Sequence, residues 1–318
     1  MCTLVRRGRP LRLIEPDTTY LDNRWLYSGG GLTVTRWWCS VPFAELTEEH
    51  RRDAHTVALV HRGSYLLESP RGRGLVDGTA AALYNPGEPF RGAHPNGCGD
   101  EGTALLLAPE LVRLLVRRHR PAAADRDAPG FPDLVGHVTP RAWLRHRLLL
   151  AAIHHGEEAL AVDEAAQHLL NELASCLLAP DHGNAAGCRP DPRQPADPRP
   201  YAERAALHLQ THFRGKVHLA DVARAAYTSP FHLARLFRAR TGTTVHRYLT
   251  RLRLQAALDE LARCRGDLGQ VAREVGFATH SHFTSAFRRE LGCTPSEVRR
   301  ALASRSGLAA LRERLADG

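Results

Sequence analysis

Three arginines, Arg235, Arg238 and Arg288, are the residues of this sequence best suited to chemistry with a polyanion. A guanidinium can fork onto guanine O6 and N7 or onto a phosphate. Around the first two stand Phe231, His232 and Ala234, and around the third stand His280, Ser281, His282, Thr284 and Ser285. The two groups correspond at an offset of 50: Phe231 with Ser281, Ala234 with Thr284, Arg235 with Ser285, Arg238 with Arg288. Both carry short polar and basic side chains and almost no acid. A helix that enters the major groove of DNA needs such a face, with small groups for close approach and a cation for guanine or phosphate. His280 and His282 form the only His-x-His of the chain and are read as a DNA-facing pair.

The elements that must hold these faces form one unit written twice between Val217 and Arg300. In the first copy Leu219, Val222 and Ala223 make one buried helical stripe, and Leu233, Leu236 and Phe237 make a second. Ser229 is the expected N-cap, Pro230 the first helical residue and Gly242 the stop. In the second copy Val271, Ala272 and Val275 form the first stripe and Phe283, Ala286 and Phe287 the second. Gly276 supplies the turn, Thr279 the cap and Gly292 the stop. Before the turn the offset is 49, so the second copy holds one more turn residue. Thr294-Pro295-Ser296-Glu297 is a capping box that opens a further helix.

Leu219 to Arg300 resembles the DNA-binding domain of the AraC/XylS family of bacterial transcription regulators. The match is carried by Ala223, Ser229-Pro230, Leu233, Arg235-Leu236-Phe237, Gly242 and the run Tyr248-Leu249-x-x-Leu252-Arg253-Leu254. It continues through Ala272, Val275-Gly276-Phe277, Ser281-x-Phe283, Phe287-Arg288 and Gly292-x-Thr294-Pro295. The resemblance implies two recognition helices, from Pro230 and from about His280, held in adjacent grooves by a linking helix over 245–263. Some 20 helical residues span about 30 Å, near the roughly 34 Å of one DNA turn. Two positions depart from the family. Tyr227 stands where a small turn residue is usual, and a bulky residue at positive φ is strained, so a different turn is expected there. Ser281, Thr284 and Ser285 stand where bidentate readers could, so Arg235 is expected to carry the sharpest base readout. The alternative for the repeat as a whole is a helical bundle whose outer faces meet protein.

Charge is segregated. The 318 residues sum to +9; residues 201–300 hold 17 Arg/Lys and 8 Asp/Glu, and the other 218 balance at 26 and 26. A basic excess confined to one domain is the electrostatic footprint of a nucleic-acid binder. Lys216 is the only lysine, which points to a GC-rich bacterial genome such as an actinobacterium's. Seven cysteines without a C-x-x-C pair argue against a disulfide framework and a cysteine-rich zinc site. No signal peptide and no apolar run of membrane-spanning length is read, so a reduced, cytoplasmic protein is expected.

The first 20 residues read as a basic extended arm. From Gly31 to Pro109, short β-prone runs (32–38, 56–61, 64–68, 80–84, 103–107) suggest a small β-barrel or sandwich. Helical runs follow over 110–120, 140–155 and 162–178, either pairing two subunits, as the resemblance implies, or covering the barrel. The fold class is α+β. The resemblance makes the first part a cupin-like sensor or dimerisation domain over 1–179 with trailing helices. A proline-rich linker over 180–200 and an all-α domain with two helix-turn-helix units over 201–300 follow, then a tail over 301–318. Trp37, Tyr65, Tyr84 and His94, with Trp38 and Phe90, are candidates for an effector pocket. His55, His61, His94, Cys39 and Cys98 are scattered in the sequence, so no metal ligand set, cofactor or redox role is assigned. No Gly-x-Ser-x-Gly elbow or Walker loop is present, and no enzyme is expected. The expected partners are double-stranded DNA, a second copy of the chain, a small effector and, for an activator, RNA polymerase; no membrane is involved. The reading from another class is a metal- or thiol-dependent sensor or enzyme barrel that the DNA-binding half localises.

Overall fold

The computed structural model describes residues 21–40, 44–97, 99–120, 130–178, 199–263 and 266–316. The basic arm, Cys98 and all of the proline-rich linker except its last two residues lie outside them.

Alternation of apolar residues builds the N-terminal half. Strand β3 (His55–Arg62) turns Val57 and Leu59 to one face and Ala58 and Val60 to the other. Strands β6 (Ala80–Tyr84) and β8 (Asp100–Leu107) split in the same way, Leu83, Leu105 and Leu107 to the first face and Tyr84, Ala104 and Leu106 to the second. Both faces are buried because the sheet is a middle layer. It has six antiparallel strands in the order β1-β2-β8-β3-β6-β9, with β1 Leu21–Gly29, β2 Leu32–Cys39 and β9 Val135–His137. The first face meets helices α1 (Pro109–His119), α2 (Pro140–His154) and α3 (Ala159–Leu177). The second meets a three-stranded sheet, β5-β4-β7, made of β4 Tyr65–Ser69, β5 Gly72–Val76 and β7 Arg91–Ala93.

A closed barrel is therefore not formed: β1 and β9 are edges of one sheet, β5 and β7 of the other, among the described residues. Sequence patterning missed β1, β5, β7 and β9. A register shift between Trp25 and Tyr27 breaks the alternation of β1, and two glycines make β5 look like a turn. It also missed helix α4 (Arg199–His212), whose first two residues were assigned to the linker. Ala202, Ala205, Ala206 and Leu209 form its buried stripe, and Pro200 is tolerated because it falls in the first turn.

The C-terminal half is helical: α5 Leu219–Ala225, α6 Pro230–Thr241, α7 Val245–Arg263, α8 Leu268–Glu274, α9 His280–Leu291, α10 Pro295–Ala303 and α11 Arg305–Ala316. Helices α4, α5 and α6 share a core of their own with Tyr248, Leu249 and Leu252 of α7. The second unit has no separate core. Phe283, Phe287 and Leu291 of α9, with Leu254, Leu258 and Leu261 of α7, join the cluster that contains Trp143 and Leu148 of α2 and the six-stranded sheet. The tail read without chemistry is α11, which buries Leu308 and Leu311 and ties back through Arg312 to Glu157 at 3.4 Å. Among the described residues no helix is long and apolar enough to cross a membrane.

Candidate nucleic-acid interface

Helices α6 and α9 each start and stop where side-chain chemistry demands. Ser229 Oγ accepts from His232 N at 3.3 Å, and Thr279 Oγ1 accepts from His282 N at 3.1 Å. Both helices end on a glycine in the left-handed region, Gly242 at φ 66 and Gly292 at φ 75. Thr294 and Glu297 close the capping box of α10. Leu233, Leu236 and Phe237 of α6, and Phe283, Ala286 and Phe287 of α9, are buried. Their burial fixes the roll of each helix and leaves Phe231, Ala234, Arg235 and Arg238 exposed on α6, and His280, Ser281, His282, Ser285 and Arg288 exposed on α9. His232 and Thr284 are half-buried. Arg235 lies 3.3 Å from His232 Nδ1. Phe231 is 83% exposed at the start of α6, a large apolar group that no core residue covers.

The two turns open in the same way despite different residues, and the second then takes one residue more, Ala278, before its cap. Gly276 has φ 89; Gly276 N bonds Arg273 O at 3.0 Å and Phe277 N bonds Ala272 O at 2.8 Å. In the first copy Tyr227 N bonds Arg224 O at 3.0 Å and Thr228 N bonds Ala223 O at 2.9 Å, and Tyr227 takes φ 55. The expectation of a different turn at Tyr227 was wrong: the left-handed strain is accepted. Tyr227 is 79% exposed, so its side chain meets no wall, and the Arg204 guanidinium lies over its ring at 5.2 Å. Gly276 has no such room, since a Cβ there would stand 2.5 Å from Phe213 O and 2.8 Å from Arg214 O. Gly276→Ala is therefore expected to destabilise the fold by about 1–3 kcal/mol, with Tyr227→Ala costing less than about 1 kcal/mol. Paired urea titrations check this, and equal losses would show that neither the left-handed φ nor the backbone wall at Gly276 sets the cost.

Helix α7 joins the two units over 19 residues, about 28 Å. It is buried nearly all round, because the N-terminal half grips it. Tyr248 Oη donates to Asp77, whose carboxylate also accepts from Thr79 N and Thr79 Oγ1 at 2.8 Å each. Burial raises the Asp77 carboxyl even so, and burial with Asp77 nearby holds the Tyr248 phenol well above its usual range. Gln255 Nε2 donates to His61 O at 3.0 Å, and Asp259 pairs with buried Arg147 of α2. These three partners are far apart in sequence, but Tyr248, Gln255 and Asp259 recur at i, i+7 and i+11. Arginines and other polar residues lie on the remaining faces of α7 too, so this stripe was not distinct in the sequence. A cleft of about 170 Å3 lies beside Gln255 and Asp259, between α4, α7 and His61.

The four effector-pocket candidates do converge. Trp37, Tyr65, Tyr84 and His94 are all buried between the two sheets. Tyr65 Oη and Tyr84 Oη are 3.1 Å apart, Phe90 lies edge-on to Tyr84 at 4.7 Å, and the Tyr65 and His94 rings are 6.3 Å apart. Trp38 points the other way, with the Arg36 guanidinium 5.0 Å over its ring, because side chains alternate along β2. Trp37 Nε1 donates to Asp100 at 3.2 Å, and Asp100, His94 and Cys39 come together at the end of β2. Burial pulls the His94 imidazole down, but Asp100 and Cys39 outweigh it and bring its pKa up to about 9. Cys39 lies far from the other two in sequence, and nothing local marks Asp100 as their partner. His55 and His61 do not join it. His55 stands edge-on to Phe131 at 5.8 Å, and His61 lies against Trp143 and His146 of α2.

Comparison with known proteins matches residues 222–301 to a family model described as a helix-turn-helix domain. Residues of this chain are 33% identical over 89 residues to the probable transcriptional regulator LumQ of Photobacterium leiognathi, covering 28% of this chain and 36% of that protein. They are 44% identical over 79 residues to the RCS-specific HTH-type transcriptional activator RclR of Escherichia coli K12, covering 25% and 28%. The chain thus spans about a third of the length of these curated relatives. Among solved structures, an AraC-type regulator from Chromobacterium violaceum is 27% identical over 33% of this chain and 95% of that one, with a TM-score of 0.32.

Proposed function

We infer that this chain is a sequence-specific DNA-binding transcription regulator, proceeding from the premise that its residues 222–301 form a helix-turn-helix domain of the AraC type. The observation that carries the inference is the pair of matched outer faces. Arg235 and Arg238 on α6, and Ser281, Ser285 and Arg288 on α9, are exposed, and no acid shares either face. Glu290, the one acid of these two helices, has a buried side chain. The linking helix α7, about 28 Å long, is of the order of one DNA turn, and on this reading each helix enters one of two successive major-groove segments. Arg235 reads a base edge; Arg238 and Arg288 bind phosphate.

The N-terminal half is the regulatory part, a cupin-like two-sheet sensor of a small effector that also pairs two copies of the chain. Its grip on α7 supplies the route. An effector that favours one seating of Asp77, His61 and Arg147 against α7 shifts the balance between arrangements of the two units by its differential affinity for them. The bacterial cytoplasm is the compartment this reading requires, and RNA polymerase is a partner if the regulator activates.

Selection of binding sites from random double-stranded DNA tests the reading. A two-part motif with centres about 10 base pairs apart is expected, and failure to enrich any sequence overturns it. Arg235→Ala should weaken binding to the selected site by about 1–3 kcal/mol and relax one base position. Arg238→Ala and Arg288→Ala should weaken all sequences alike and flatten the salt dependence. Unchanged base preference in Arg235→Ala would remove Arg235 from direct readout.

A further inference from the structure

One corner of the N-terminal half gathers three donor side chains of the kinds that ligate borderline-soft divalent cations. Cys39 ends β2 and pairs in register with Asp100, which opens β8; His94 follows β7. The thiol sulfur, an imidazole nitrogen and a carboxylate oxygen all lie within 4.8 Å of one another. His94 Nε2 is 3.6 Å from Asp100 Oδ1. Donors on a tetrahedral zinc ion are about 3.3–3.6 Å apart, given its bond lengths. That pair already has the spacing, and the sulfur lies at most about 1 Å beyond it.

The state of the imidazole adds to this spacing. His94 is 6% exposed, and neither ring nitrogen makes a hydrogen bond of normal geometry among the described residues, Asp100 being the nearest ionic partner at 3.6 Å. Folded proteins rarely leave a buried ring so. The surroundings resemble the support that metal ligands receive. Trp37 Nε1 orients the Asp100 carboxylate. Position 99 admits only glycine, since a Cβ there would stand 1.8 Å from Cys39 O, and this backbone approach keeps the two strand ends together. Cys39 is half-buried, which leaves an entry path.

We propose that Cys39, His94 and Asp100 bind one divalent cation of the zinc class, with the fourth tetrahedral position left to water or a small ligand. The thiol proton is released on binding, because the thiolate is the ligand. Three protein ligands with an open position are the pattern of zinc sites that stay accessible. The site also touches the DNA-binding half. Asn96, two residues after His94, donates to Thr211 of α4 at 3.4 Å, and Gln210 of α4 donates to Gly63 O at 2.9 Å. The turn at Gly63 abuts Gly99, so an ion held between His94 and Asp100 bears directly on α4. This site stands or falls independently of the DNA-binding reading.

The test uses the full chain, stripped with chelator and titrated with zinc chloride, then with cobalt(II). Native mass spectrometry should find one zinc per chain, and cobalt should give thiolate charge-transfer absorption. Zinc should slow iodoacetamide alkylation of Cys39 by roughly tenfold or more and leave Cys176 on α3 unchanged. Trp37→Phe should lower zinc affinity by roughly 10–100-fold, the effect of losing an outer partner. Cys39→Ser and His94→Ala should lower it further. Should either variant fail to fold, the protection of Cys39 in the wild-type chain decides alone. No zinc uptake, one zinc retained in both folded variants, or a Cys39 that zinc does not protect each overturns the proposal.

Discussion

Asp259→Ala is expected to lower the unfolding free energy by about 3–5 kcal/mol. Asp259 on α7 and Arg147 on α2 are both buried and pair across the junction of the two halves. Removing the carboxylate leaves the guanidinium with one other acid acting on it, Glu101, which is already paired with Arg36. His61 Nδ1 lies 3.5 Å from Arg147, and Arg36 and Arg62 add like charge. Burial already holds Arg147 below its ordinary range and Asp259 above its own, which means desolvation outweighs the attraction of the pair. The pair thus sets how the halves meet more than it strengthens them. Arg147→Met with Asp259→Leu should accordingly recover most of the loss. Urea unfolding of the three proteins checks this. A loss under about 1 kcal/mol in Asp259→Ala would mean that water reaches Arg147 and that the pair does not organise the junction.

Acid is the second large perturbation. His137 on β9 is pushed down to about 4 by burial, then by Arg251 of α7 and Arg240 of α6. The unfolded chain takes up a proton near pH 6.5 and the folded chain does not, so folding is fully supported above pH 6.5. The support is lost as the pH falls from there toward 4. By pH 4.5 the loss reaches about 2–3 kcal/mol for this one residue. His61 and His146, held well below their ordinary range by burial and by Arg147, act with the same sign. His94 is raised and acts oppositely, so the decisive comparison is between the wild-type chain and His137→Gln. The variant's stability should decline less steeply between pH 6.5 and 4.5. Parallel profiles would show that the ring is hydrated in the folded chain.

The helical half was far more legible in sequence than the other. A cap, a stop glycine and a stripe are local, so Ser229, Gly242 and Phe237 announced α6 without any partner, and α7 has the expected bounds Val245–Arg263. Burial of the stripes then decided which side chains face outward, and the outward residues of α6 and α9 follow from arithmetic. Nothing local could pair Tyr248 with Asp77, 171 residues away, or bring Cys39 to Asp100. Trp37, Tyr65, Tyr84 and His94 were chosen as aromatic or titratable residues in β-prone runs, and they do meet, but mostly as packing between two sheets. The closed barrel failed because closure depends on the edges, and the edge strands β1 and β9 are the least regular in sequence.

The unequal cores of the two helix-turn-helix units limit how this chain can be cut and recombined. Residues 180–200 look like the seam between modules, and a chimera that exchanges everything before them would seem the natural graft. Such a graft would keep the core of α4, α5 and α6 whole. It would strip the second unit of half its walls, because Phe283, Phe287 and Leu291 share a core with α2. A transplanted N-terminal half must therefore bring its own α2, matched to α9, α10 and α11. The hydrophobic ground that makes one unit portable makes the other a resident of the domain it is joined to.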